Sequence, residues 1–159
     1  MAGQTTLLDK SYRNDANVRI LKYTALVIGA TNGAGYAGVP TAANAGKLVG
    51  VAKEDIFEPG VVPWAGGQAQ IQSGQAPSAG APSLQGRSIQ VAKEGIVRCI
   101  AAGAIAAGDW VNVADNQGRV KTVNEAGGTL VNVLGMAETA ATQAGDIIQV
   151  SLQIHSRHQ

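Results

Sequence analysis

The residues whose spacing most resembles a reactive site are glycines. An apolar run, Thr24 to Ile28, leads into Gly33-x-Gly35-x-x-Gly38. After a strand, such a turn can open a helix whose N-terminal amides hold a pyrophosphate. Asp55 lies about 20 residues beyond Gly35, where such folds place the acid that binds ribose. The sequence then withholds the helix: Pro40, Asn44 and Gly46 interrupt the stretch after Gly38, with no apolar stripe between them. A glycine-rich connection between strands is therefore favoured over dinucleotide binding through Gly33, Gly35 and Gly38. Other reactive types are sparse. Cys99, within Ile96-Val97-Arg98-Cys99-Ile100, reads as a small core residue rather than a reactive thiolate. His155 and His158 fall in the last five residues, where order is usually poor, so neither is expected to serve as a base. Glu54, Asp55, Glu58 and Glu94 are the nearest approach to a carboxylate cluster. The pairs Lys53-Glu54 and Lys93-Glu94 look like solvated strand ends. No catalytic set, cofactor site or metal site is expected, and the chain is read as a non-enzyme.

The elements around these residues must come from an unusual composition. Of 159 residues, 21 are glycine, only 14% are charged and only 4% are aromatic, while 45% are hydrophobic. That last fraction argues against disorder along the whole chain. A formal net charge of +1 gives no electrostatic footprint for nucleic acid or an anionic membrane. One cysteine excludes an intramolecular disulfide, and two histidines with it do not make a standard zinc site. No apolar run approaches the roughly 20 residues that span a bilayer, and Met1 to Lys10 lacks a signal-peptide core.

Two segments depart from the rest. Residues 1–17 are polar and read as an extended N-terminal arm, with residues 18–159 as a single β domain. Inside that domain, about 57–87 forms a long insertion. From Pro59 to Gly86 it carries no charge but holds four of the five prolines. Proline removes ladder donors and glycine weakens regular elements, so a long loop is expected, laid across a neighbouring subunit. The remainder reads as strands. Ile148, Val150, Leu152 and Ile154 alternate with polar residues, the period of a half-buried strand. Trp110–Val113 and Arg119–Val123 flank the turn-forming Asp115-Asn116-Gln117-Gly118 and predict a hairpin. Strands are also predicted over Val18–Ile28, Lys47–Ala52, Ser88–Ile100 and Thr129–Ala137. Ala101–Ala107 and Glu138–Ala144 could each form a helical turn or two.

Two internal echoes suggest a closed or nearly closed barrel. Ala104 to Val113 parallels Ala141 to Val150, each a small-residue turn that ends in Gly-Asp and launches an alternating strand. Leu48-Val49-Gly50-Val51-Ala52 parallels Val133-Leu134-Gly135-Met136-Ala137, and a glycine inside a strand marks a bulge or a close backbone approach.

The same residues carry a resemblance. Glu94-Gly95-Ile96-Val97, Ala101 to Val111, Leu134-Gly135-Met136-Ala137 and Gly145 to Leu152 resemble the small head-decoration (cement) proteins of tailed bacteriophages, in particular the family DUF2190. The resemblance covers about 47–52 and 88–152; the N-terminal arm and the insertion depart from it. It implies a small β-barrel or β-tulip-like domain, a homotrimer or else a homodimer, made in the host cytoplasm and bound outside the phage capsid. There it would staple neighbouring subunits of the major capsid protein, with no cofactor. Contacts with capsid and neighbouring copies are expected from Thr5, Thr6, Leu7, Leu8, Tyr12, Arg13 and Arg19 near the N-terminus, and from Pro63, Trp64 and Ile71 in the insertion. Another small β-barrel virion component, for tail or fibre attachment, is the alternative.

Overall fold

A computed structural model describes residues 5–124 and 130–158; of Thr5, Thr6 and Leu7 it describes the backbone alone. The described chain is mainly β and contains no helix. Its strands are β1 (Thr5–Asn14), β2 (Ala25–Gly29), β3 (Gly33–Gly38), β4 (Leu48–Ala52), β5 (Trp64–Ala65), β6 (Gln68–Ala69), β7 (Ser88–Ile100), β8 (Trp110–Val113), β9 (Val120–Thr122), β10 (Leu130–Ala137) and β11 (Ile147–His158).

The organising element is β7. Its 13 residues span roughly 43 Å at strand rise, enough to serve two rings. Its first part pairs with β1 on one edge and β4 on the other, and the order β1-β3-β2-β4-β7 returns to β1. These five strands therefore close into a barrel, which removes their free edges. Tyr12, Ile20, Leu26, Ala37, Val49, Ile89 and Val91 fill it. The last part of β7 pairs with β11, and β11-β10-β8-β9 continues around a second core of Val97, Cys99, Val111, Leu134, Ile148 and Val150. This second ring is tied shut by a bridge from Ala101 to Val120, where Ala102 N–H donates to Val120 O at 2.8 Å.

Both echoes correspond to structure. The Gly-Asp turns interlock: Ile105 and Ala141 exchange backbone hydrogen bonds at 3.0 and 2.9 Å. Gly108 N–H reaches Ala137 O at 2.7 Å and Gly145 N–H reaches Ala101 O at 2.9 Å, which makes a local pseudo-two-fold. Asp109 Oδ2 accepts from Ala106 N–H, and Asp146 Oδ2 from Gln143 N–H, both at 3.1 Å. The strand glycines are also equivalent. A Cβ on Gly50 would overlap Ala92 O, and one on Gly135 would overlap Ser151 O. Gly50, at φ 145°, sits in a bulge of β4 that sends Val49 and Val51 into different cores, although strand alternation would aim them alike.

Four expectations need correction. The alanine-rich segments 101–107 and 138–144 form the interlocked turns, not helical turns, because each exchanges its backbone bonds with the other. Val18–Ile28 is not one strand: Tyr23 at φ 71° breaks it, and β2 begins at Ala25. His155 and His158 belong to β11, paired to Val133 and Leu130. Residues 5–14 are not a free arm separable from a domain starting at 18. They form β1, without which the first barrel has no closing strand.

Candidate interaction surfaces

The uncharged segment 59–86 folds back on its own barrel rather than reaching outward. Gly74 N–H donates to Arg19 O and Arg19 N–H to Gln75 O, both at 2.8 Å. Ser73 Oγ accepts Leu21 N–H at 2.8 Å and lies 2.6 Å from Thr24 Oγ1. Leu84 is 1% exposed within the first core, and its N–H donates to Asn17 Oδ1 at 2.8 Å. Within the segment, Gly66 and Gly67 both take positive φ, as a two-residue type I′ turn requires, and join β5 to β6. The expectation of a loop without strand pairing is corrected there.

The root of the segment is an ion-paired clasp. Glu58, 2% exposed, accepts from Arg19 Nη2 and from Arg19 Nε at 3.0 Å. The same carboxylate takes Ser78 N–H at 2.8 Å and Ser78 Oγ at 2.9 Å. Arg19 holds the Glu58 carboxyl far below its ordinary range against the opposing effect of burial, with Ser78 adding to the shift. Arg19, expected at an outer contact, is thus spent on internal bracing.

The remaining contact candidates are dispersed. Tyr12 is buried in the first core, with Lys93 Nζ 3.2 Å from its hydroxyl. Leu8 is 47% exposed on β1, and Arg13 is exposed near its end. The side chains of Thr5, Thr6 and Leu7 lie outside the described residues. Pro63, Trp64 and Ile71 are half-buried. Trp64 is held by its Nε1–H donating to Asp55 Oδ1 at 3.0 Å, by the edge of Tyr23 at 5.8 Å, and by Lys22 over its ring at 5.4 Å. Other exposed apolar side chains are Ile28, Val62, Leu130, Ile147 and Ile154. Beyond Ser151, β11 pairs with β10 on one side, and no described strand pairs with its other edge.

Groups that could do chemistry are committed elsewhere. The glycine-rich turn is the β2–β3 hairpin, so no helix points amides at a ligand. Asp15 already occupies its donors: Thr31 N–H reaches Oδ2 at 3.0 Å and Asn32 N–H reaches Oδ1 at 2.9 Å. Burial pushes the Asp15 carboxyl up, but these bonds outweigh it and hold the group below its usual range. A pyrophosphate would meet that fixed negative charge. Cys99 is fully buried and its thiol is pushed up by burial. His155 packs edge-on to Trp110 at 5.6 Å. Among the described residues, no three His, Cys, Asp or Glu side chains group as a metal site.

Sequence reasoning grouped Glu58 with other carboxylates without its clasp, and missed Ser78 and Asp15. Glu58 had one signal: it is the last charge before the uncharged stretch. Asp15 and Ser78 had none, since their partners lie 16 and 20 residues away.

No protein-family model matches the chain, and no curated protein does. The chain is similar to the crystal structure of the N base of head fibre gp8.5 in bacteriophage phi29. The two share 17% identity, with a TM-score of 0.49 over 92% of this chain and 95% of that one.

Proposed function

We propose that the protein is a non-enzymatic structural component of a phage virion, a cement protein that binds the outer face of the head and staples neighbouring major capsid protein subunits. The observation that carries this reading is the interlocked pair of Gly-Asp turns. The resemblance to the head-decoration family covers about 47–52 and 88–152; the fold gathers its part beyond 96 into one unit around the second core, while 47–52 fall in β4 of the first barrel. Binding through strand addition also suits this fold, though not through an N-terminal arm. Since β1 belongs to the barrel, the edge on offer is that of β11 beyond Ser151, beside exposed Ile154 and Leu130. A trimer would bring three such edges to one capsomer and gain avidity from modest contacts. Association with the expanded shell alone would stabilise that shell by mass action.

Co-sedimentation tests this with purified protein, expanded shells and unexpanded precursor shells. Saturable binding to expanded shells, reduced by Ile154→Asp, is expected. No binding to either shell would overturn the reading, and attachment only at a fibre or tail would favour the other virion role.

A further inference from the structure

We propose that the cleft beside Trp64 binds a neutral saccharide. This inference does not rest on the virion reading. The cleft, about 130 Å³, lies between the β5–β6 hairpin with the residues after it and the β8–β9 turn of the second ring. It is lined by buried Leu21 and Ile100, by half-buried Trp64, Gln117 and Arg119, and by exposed Gln68 and Gln72.

Three features select the ligand class. First, the indole is pre-positioned by Asp55, Tyr23 and Lys22, so little freedom is lost when a ring lies against it. Tyr23 holds its place at φ 71°, a conformation bulky residues seldom take and one that clusters at ligand sites. Second, no side-chain amide of Gln68, Gln72 or Gln117 makes a hydrogen bond to another described residue; only their backbone groups do. Each amide offers donors and an acceptor together. Third, Arg119 is already met by Asp115, with Nε to Oδ2 at 2.7 Å, so an anion finds its charge answered.

A wholly apolar ligand would strip water from three carboxamides without replacing their bonds. A pyranose fits both halves: a C–H face for the indole and hydroxyls that donate and accept for the amides. The cleft, about 130 Å³, has room for one ring, and weak, roughly millimolar binding of a single sugar is expected.

The test titrates the full chain with glucose, galactose, N-acetylglucosamine and N-acetylgalactosamine, and separately with inorganic phosphate. Indole fluorescence and side-chain amide NMR shifts report binding. At least one sugar should shift the amides of Gln68, Gln72 and Gln117 saturably, while Trp110 stays unmoved. Trp64→Ala should weaken binding about tenfold or more, close to 1.4 kcal/mol. Gln68→Ala, at an exposed position, keeps the test valid if the tryptophan variant fails to fold, and should weaken binding severalfold. No saturable shift with any sugar, binding unaffected by both variants, or a response to phosphate alone would each overturn the proposal.

Discussion

Replacing Leu84 with alanine separates an anchored insertion from a free one. Leu84 lies in the uncharged Pro59–Gly86 segment, yet it is 1% exposed among Ile20, Leu26, Ile89 and Val91. Truncating a leucine in such a core costs about 2–5 kcal/mol, the spread reflecting how far the site collapses. The segment is pinned at Leu84 itself, through its N–H to Asn17, and two residues on, through Gly86 N–H to Asn14 O at 2.8 Å. Collapse is thereby limited, and a loss of about 3 kcal/mol is expected. For a chain of this length that is roughly a 6–12 °C fall in Tm. Urea denaturation should show a lower midpoint with an unchanged slope. Val62→Ala, at a site 65% exposed in the same segment, should stay within about 0.5 kcal/mol of wild type. If Leu84→Ala also cost less than about 0.5 kcal/mol, the segment would be a tether and the reasoning would fail.

Other consequences are equally open to measurement. Glu58 titrates lower when folded than its ordinary value of 4.5, so its contribution is whole above that pH and is lost as pH falls toward the folded value. Denaturation midpoints followed from about pH 6 to pH 2 should therefore drop less in Glu58→Gln than in wild type; equal slopes would deny the clasp. Gly135→Ala must displace the Ser151 carbonyl and should destabilise by about 1–3 kcal/mol, whereas Gly103→Ala, with nothing within 4 Å, should stay within about 0.5 kcal/mol. Deleting residues 1–14 removes a strand of the closed barrel and should abolish cooperative unfolding seen by circular dichroism; a stable truncated chain would contradict the role of β1. Native Cys99 should resist thiol reagents until urea unfolds the protein, and rapid native modification would refute its burial.

The strand content of this fold is written in local patterns. Ser88–Ile100 and the 110–122 hairpin follow from alternation and from a turn whose Asp115 accepts Gln117 N–H at 2.9 Å. The paired Gly-Asp turns are visible as a repeat, because the same local chemistry is used twice. The features that escape a reading of the sequence are long-range. Polar Thr5–Asn14 shows no apolar alternation to mark a barrel strand: from Leu8 to Arg13 every side chain but that of Tyr12 is exposed, while the backbone closes the ring. Alanine-rich turns imitate helix because their stabilising partner is the other turn, 36 residues distant. The insertion looks like a tether because glycine, proline and glutamine say nothing of Leu84, Ser73 and Ser78, whose side chains help fasten it. The Trp64 cleft is assembled from 64–73 and 117–119 together with Leu21, Ile100 and Gly145, a juxtaposition that no local spacing encodes.

Imaging of purified phage particles at side-chain resolution tests the proposed role most directly. The account predicts density for two fused barrels on the outer surface of the expanded head, in copies that scale with the number of capsomers, with β11 set against the major capsid protein. Particles that lack this density, or that carry it only inside the shell, would contradict it.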